Sequence, residues 1–134
     1  MLLLDSGVWI AAKNEEDRFS PDARRLVTET DRPMAALALT LYEVANVIGS
    51  RQRESGVALA LCRTIAARCG DRVLTADLRQ METCVRIAAE CGLTAYDAAY
   101  VAAARSHGWT LVSTDIADLV SKGLAVTPDA ALYP

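Results

Sequence analysis

Residues 93–118, LTAYDAAYVAAARSHGWTLVSTDIAD, decide how the chain folds. Small apolar residues recur at helical spacing over Ala95–His107, and Gly108 follows where a helix C-cap glycine belongs. Trp109–Ser113 then has the composition of a short buried strand. The stretch therefore predicts a helix, a tight turn, a strand and the beginning of another helix.

Acids lie at the beginning of both of these helices. Asp97 is in the first turn of the helix that precedes the strand. Asp115 and Asp118 follow the strand, where the next helix begins. Acids thus lie at helix beginnings on both sides of one buried strand. The question for the other acids of the chain is whether they too lie next to strands and helix beginnings.

The rest of the chain alternates strands and helices without any hairpin signal. Predicted strands lie at Leu2–Leu4, Met34–Leu39, Arg72–Thr75 and Leu124–Thr127, the last ended by Pro128. Helices are predicted between them, with Ser20 as an N-cap before Pro21, Asp77 as another N-cap, and glycines at 56, 70 and 92 as breaks. This alternation predicts an α/β fold with a mainly parallel sheet.

Length and composition indicate one globular domain over residues 1–134. The hydrophobic fraction is 52% and the mean hydropathy is +0.18, which argues against disorder. No apolar run reaches the roughly 18 residues of a membrane span, so no membrane association is expected. The run Met1–Leu4 stops at Asp5 and is too short for a signal peptide, so a cytoplasmic location is expected. Cysteines at 62, 69, 84 and 91 match no zinc spacing and are interpreted as small buried thiols.

Each candidate acid has a structural alternative. Thr40-x-x-Glu43 matches a capping box, and Thr94-x-x-Asp97 approximates one. Asp115 can be the N-cap of the next helix, and Asp118 can add a favourable negative charge in the first turn of that helix. Asp5 is different, because it ends a run of leucines at the carboxyl end of a predicted strand, where open α/β sheets bind ligands.

The acids become more informative when they are taken together. Asp5 and Asp115 both follow buried strands, and Glu43 follows a third after a short turn, so parallel neighbours would bring them to one edge. Clustered carboxylates repel one another unless a cation lies among them. Oxygen ligands without histidine or cysteine favour Mg²⁺ or Mn²⁺, and such an ion supports hydrolysis of a phosphodiester. No P-loop or GxGxxG motif points to ATP or a dinucleotide.

The net charge of −3 does not exclude a nucleic-acid substrate. Setting aside the four acids Asp5, Glu43, Asp97 and Asp115 leaves 13 acids against 14 bases, so the remaining surface is near neutral. A bound divalent metal would offset the charge of the site itself.

The acids and the residues around them resemble the motifs of the PIN-domain ribonucleases. The similar segments are Asp5 after an apolar strand, Glu43 in LTLYEVANVI, Asp97 in LTAYDAAYVAAAR and Asp115 in LVSTDIADL. Within that family the sequence is most similar to the VapC-type toxins of bacterial toxin–antitoxin pairs. The resemblance covers nearly the whole chain.

This resemblance implies a three-layer α/β/α sandwich with a central, mainly parallel sheet, and an Mg²⁺-dependent endoribonuclease acting on RNA. It also implies a homodimer that a cognate antitoxin inhibits. Asp5 and Asp97 correspond to direct metal ligands, whereas Glu43 and Asp115 complete the site and orient water. Asp118 corresponds to a further acid that is often present in the family.

Ser6 fits the small hydroxyl residue that commonly follows the first acid, but Gly7 departs from the polar residue that is more usual at its position. Trp9, Tyr42 and Tyr100 are candidates for the dimer interface.

Three alternative classes of protein were compared with this interpretation. A haloacid dehalogenase-type phosphatase would need a second Asp two residues after Asp5, where Gly7 stands. A receiver-like signalling domain would need paired acids at the first strand and a lysine after the last, and neither is present. A non-catalytic PIN-like module would share these sequence features with the ribonuclease, and only an activity assay separates the two.

Overall fold

The computed structural model describes residues 1–134, whose strands form one four-stranded parallel sheet. The strands are β1 (Leu2–Leu4), β2 (Met34–Leu37), β3 (Val73–Leu74) and β4 (Thr110–Val112), in the order β3-β2-β1-β4. In the central pairing, Leu3 of β1 lies between Ala35 of β2 and Leu111 of β4. The predicted parallel sheet is confirmed.

Helices connect the strands throughout the chain. They are α1 (Ser6–Ala11), α2 (Ser20–Glu29), α3 (Ala38–Val44), α4 (Ser55–Cys69), α5 (Leu78–Cys91), α6 (Ala95–His107) and α7 (Pro128–Leu132). Two π-helical turns, Ala45–Arg51 after α3 and Ile116–Val120 after β4, and a 3₁₀ turn at Gly70–Arg72 complete the connections.

The leucines of β1 divide the core into two halves, because successive side chains of a strand point to opposite faces. Leu2 and Leu4 pack with α1, α2, α4 and α7 on one face of the sheet. Leu3 packs with α5 and α6 on the other face. All three leucines are fully buried, and each contributes roughly 1.5–3 kcal/mol through burial of its side chain. The fold is therefore the three-layer α/β/α sandwich that the resemblance implied.

The strand order defines where a ligand is expected. The chain proceeds from β1 outward through β2 to β3 and then returns to the other side of β1 as β4. The direction of the strand order therefore reverses between β1 and β4, and open α/β sheets bind ligands at the carboxyl ends of the strands at such a point. Asp5 follows β1 directly, and Asp115 follows β4 after two residues.

The helix at the centre of the quoted stretch has the predicted bounds. Helix α6 spans Ala95–His107, Thr94 is its N-cap, and Gly108 ends it in the left-handed conformation with φ of 65°. This backbone conformation strains most residues other than glycine. Asp77 likewise caps α5, as predicted. The four cysteines are free thiols, and Cys69 and Cys84 are buried.

Other predicted boundaries require correction. The strand predicted at Met34–Leu39 ends at Leu37, because α3 already begins at Ala38. The strand predicted at Leu124–Thr127 is reduced to one parallel bridge between Val112 and Val126. Pro128 begins α7 instead of ending a structured segment, since its fixed φ suits the first turn of a helix.

One helix cap and two proposed interface residues also differ from the predictions. Ser20 is the first helical residue of α2 instead of its N-cap, which is Phe19. Trp9 and Tyr100 were candidates for an interface between subunits, but both are buried in the core of this chain, at 0% and 2% exposure. Tyr42 is 77% exposed. No helix of the chain has both the length and the apolar character that crossing a bilayer requires.

Candidate active site

Asp5 is held in place by the junction between β1 and α1. It is the N-cap of α1, and its Oδ1 accepts the backbone N–H of Val8 at 3.0 Å. Its Oδ2 accepts a hydrogen bond from the hydroxyl of Ser113, the residue that follows β4. Asp5 is 7% exposed, so both carboxylate oxygens are fixed by donors in a largely dry environment.

The surroundings of Asp5 disfavour its charged form. Burial raises its pKa from 3.8 to about 7, against the opposing effects of the hydrogen bonds from Ser113 and Val8. The negative charges of Glu43 and Asp115 raise the pKa further, which places both acids within electrostatic range of Asp5. A proton or a cation is therefore needed to neutralise this edge of the sheet near neutral pH.

Glu43 lies on α3, which follows β2, and its partner lies on α6. Its Oε2 accepts a hydrogen bond from the hydroxyl of Tyr100 at 2.6 Å. The capping-box interpretation of Thr40 and Glu43 is wrong, because α3 begins at Ala38. Thr40 itself lies in the first turn, where its Oγ1 accepts the N–H of Leu37 at 3.2 Å. Glu43 thus has no capping role at this helix.

Asp97 occupies the first turn of α6. The Oγ1 of Thr94 accepts the N–H of Asp97 at 3.1 Å and donates to Oδ2 of Asp97 at 2.8 Å. Because α6 runs back across the sheet into the parallel strand β4, its first turn lies toward the edge where the strands end. The carboxylate of Asp97 therefore lies toward this edge, and its negative charge also stabilises the N-terminus of α6.

Asp115 and Asp118 lie in the turn after β4. Oδ1 of Asp115 accepts the N–H of Asp118 at 2.9 Å, so Asp115 does act as an N-cap. The N–H of Asp115 in turn donates to Oγ of Ser113 at 2.9 Å. Oδ1 of Asp118 lies 3.3 Å from Nζ of Lys122, in an exposed ion pair of small energetic weight.

The charges of Glu43 and Asp115 thus act on Asp5, and each of these three carboxylates accepts a hydrogen bond from another group of the protein. No group of three or more His, Cys, Asp or Glu side chains converges closely enough to hold a metal ion in this conformation. The chemistry of the donors nevertheless fits a hard cation, because every candidate ligand is a carboxylate oxygen and the charges of Glu43 and Asp115 disfavour the ionised form of Asp5.

Two residues of the site were not identified from the sequence. Ser113 bonds to both Asp5 and the backbone of Asp115, and Tyr100 bonds to Glu43. Ser113 had a signal, namely a hydroxyl directly after a buried strand and two residues before an acid. Tyr100 had none, because 57 residues separate it from its partner.

An α/β/α sandwich with acids at the carboxyl edge of its sheet defines a class of proteins, and comparison with known families identifies which one. The PIN domain model matches residues 2–119, and the chain belongs to the PIN domain family. No curated protein matches the chain.

Solved structures share the fold over almost the whole chain. PAE2754 from Pyrobaculum aerophilum is 25% identical with a TM-score of 0.72, covering 98% of this chain and 85% of that protein. A toxin–antitoxin complex from Klebsiella pneumoniae is 20% identical with a TM-score of 0.71, covering 96% and 98%. VapC20 from Mycobacterium tuberculosis, described as a sarcin–ricin loop cleaving toxin, is 19% identical with a TM-score of 0.72, covering 92% and 95%.

Proposed function

We propose that this chain is a metal-dependent endoribonuclease and the VapC-type toxin of a type II toxin–antitoxin pair. The observation that carries the proposal is Asp5, a buried carboxylate at the reversal point of the sheet. Its pKa is raised to about 7 by burial and by the charges of Glu43 and Asp115. A structural carboxylate would be better stabilised at the surface, whereas a carboxylate that binds a cation benefits from this environment.

Mg²⁺ or Mn²⁺ is the proposed cofactor. Asp5, Glu43, Asp97 and Asp115 would hold it, with Asp118 as a further acid of the site. The absence of histidine and cysteine from this set favours a hard, oxygen-seeking ion. When bound, such an ion polarises a phosphoryl oxygen and lowers the pKa of a bound water, the chemistry that phosphodiester hydrolysis requires.

The protein's own residues have separate tasks in this proposal. Ser113 and the N–H of Val8 fix the two oxygens of Asp5 before any ligand arrives. Glu43 orients the attacking water and accepts its proton. Its carboxylate lies on α3, where it acts electrostatically on Asp5 and accepts a hydrogen bond from Tyr100.

RNA and a cognate antitoxin are the proposed partners. Support comes from membership of the PIN family and from the fold shared with a toxin–antitoxin complex and with a sarcin–ricin loop cleaving toxin. An inhibitory protein would act by covering the acidic edge.

A second copy of the chain is the proposed partner at another surface. A groove of about 750 Å³ runs along the length of α6, between α5 and the beginning of α3, and 13 of its 20 lining residues are hydrophobic. Tyr42, Met81 and Tyr96 line it and are 77%, 41% and 63% exposed. Exposed apolar patches of this kind mark interaction surfaces. Light scattering at micromolar concentration should give a dimer, and Met81→Glu should shift it to monomer.

The activity is tested by incubating the purified protein with total RNA, with Mg²⁺ or with EDTA, and mapping the new ends by sequencing. We expect discrete cleavage sites with Mg²⁺ and none with EDTA or with Asp5→Asn. A non-catalytic PIN-like module would instead retain RNA without new ends. A phosphatase would leave the RNA intact and hydrolyse p-nitrophenyl phosphate with Mg²⁺.

A further inference from the structure

Tyr100 is a buried residue whose hydroxyl serves no need of the core. It lies on α6 and is 2% exposed, and phenylalanine would fill the same apolar space. Its hydroxyl lies 2.6 Å from Oε2 of Glu43 and 2.8 Å from Oγ1 of Thr40. These two contacts join α6 to α3 at the acidic edge of the sheet.

The direction of these hydrogen bonds follows from the number of protons. An ionised carboxylate only accepts, so Tyr100 must donate its single hydroxyl proton to Glu43. Thr40 must then donate to the oxygen of Tyr100, while its own oxygen accepts the N–H of Leu37 at 3.2 Å. The result is a one-way chain of hydrogen bonds that runs from the end of β2 through Thr40 and Tyr100 to Glu43.

We propose that Tyr100 is a positioning residue that holds the carboxylate of Glu43 in the orientation required for metal binding and water orientation. This inference rests on the proposed function. Tyr100 supplies the side-chain hydrogen bond of Glu43, whose carboxylate otherwise ends a flexible chain of three rotatable bonds. Fixing it before the ion binds removes an ordering cost from the binding step.

The surroundings of Tyr100 also keep its phenol in the donor form. Burial, and then the charge of Glu43, raise the pKa of Tyr100 above its usual value. The hydroxyl is therefore protonated near neutral pH and remains the donor in the hydrogen bond to Glu43. It acts through Glu43 and does not itself exchange protons with substrate.

The test is the affinity for Mn²⁺ alone, measured by isothermal titration calorimetry without RNA. Tyr100→Phe should bind Mn²⁺ about 10-fold or more weakly, the usual effect of removing a partner that orients a metal ligand. Tyr133→Phe is the control, because it makes the same change at a 63% exposed residue after α7, whose hydroxyl bonds to Arg25 and not to an acid of the site. It should bind as the wild type does.

A mutant cycle distinguishes positioning from a general loss of structure. If Tyr100 acts through Glu43, adding Tyr100→Phe to Glu43→Gln should weaken Mn²⁺ binding by less than about 2-fold further. An equal loss in both backgrounds would overturn the inference. Thr40→Val, which removes the next member of the chain, should weaken binding in the same direction, and Thr40→Ser should retain it. Circular dichroism at the assay temperature establishes that each variant is folded.

The two proposals fail in different ways. A wild-type protein that binds no Mn²⁺ and cleaves no RNA would overturn the proposed function and this inference with it. A wild-type protein that binds Mn²⁺ with the same affinity as folded Tyr100→Phe would overturn only the positioning role.

Discussion

Ser113 donates its hydroxyl to the carboxylate of Asp5, although 108 residues separate the two in sequence. The parallel pairing of β1 with β4 brings them together, because each residue directly follows its strand. Ser113 also accepts the N–H of Asp115, so one hydroxyl links the first acid of the site to the backbone of the last. The geometry of the site therefore depends on the register of this strand pair.

The metal-free protein should lose stability as the pH rises. The pKa of Asp5 is raised from 3.8 to about 7 in the folded state, so the folded protein binds this proton more tightly than the unfolded chain does. The stabilisation from Asp5 is fully present below the pKa that Asp5 has in the unfolded chain. It is lost as the pH rises through the pKa that Asp5 has in the folded protein. Urea unfolding in EDTA should show a loss of roughly 2–3 kcal/mol between about pH 5 and about pH 8.5.

Asp5→Asn isolates the contribution of this carboxyl from that of the other titrating groups. The variant has no proton to lose, so its free energy of unfolding should vary less with pH than that of the wild type. Parallel pH profiles of the two proteins would show that Asp5 has an ordinary pKa.

Gly7 should resist replacement by alanine because of its neighbour Thr114. A Cβ at Gly7 would overlap Oγ1 of Thr114 and lie 3.3 Å from Oδ1 of Asp5. Gly7→Ala should therefore reduce the free energy of unfolding by roughly 1–3 kcal/mol, the usual cost of overpacking. In the Thr114→Ala background the same change should cost clearly less. Equal costs in the two backgrounds, by urea unfolding, would contradict this explanation.

Asp97→Asn should abolish RNA cleavage while changing stability by no more than about 1 kcal/mol, the scale of a charge in the first turn of a helix. The nearly isosteric amide retains an oxygen that accepts from Thr94. Thr94→Val is the complementary variant, because it removes the N-cap of α6 and should reduce the free energy of unfolding by about 1 kcal/mol. A large drop in the melting temperature of Asp97→Asn would indicate a mainly structural carboxylate.

Glu43→Gln should lower the cleavage rate by about 10²-fold or more, the usual scale of acid–base and electrostatic contributions. Its melting temperature should hold, because the amide oxygen still accepts from Tyr100. Glu90→Gln, an exposed change on α5, is the control for altered net charge. Wild-type cleavage rates in Glu43→Gln at saturating Mg²⁺ would remove this residue from the site.

Features fixed by neighbouring residues were predictable from the sequence. The bounds of α6 follow from Thr94 and Gly108, which cap it through local hydrogen bonds and a left-handed backbone. The burial of β1 follows from three consecutive leucines. The alternation of strands and helices predicted a parallel sheet, and Asp5 directly after β1 predicted that the acid lies at its carboxyl edge. The order of the strands, with β2 and β4 beside β1, came only from the structure.

Features that depend on distant contacts were not predictable in this way. The pattern Thr40-x-x-Glu43 has the form of a capping box, but the helix begins three residues earlier than that box requires, and Glu43 bonds across to α6. The apolar run near Val126 forms a single bridge to Val112 instead of the predicted strand. The raised pKa of Asp5 arises from burial in the tertiary structure, which its sequence neighbours do not reveal.

The most direct measurement is the single-turnover rate at which the metal-depleted protein cleaves one mapped RNA substrate as Mg²⁺ is added back. We expect no cleavage in EDTA, a rate that rises to saturation with Mg²⁺, and no such rise for Asp5→Asn that is shown to be folded. Full cleavage in EDTA, or an equal rise for Asp5→Asn, would contradict the claim that these carboxylates form a metal-dependent ribonuclease site.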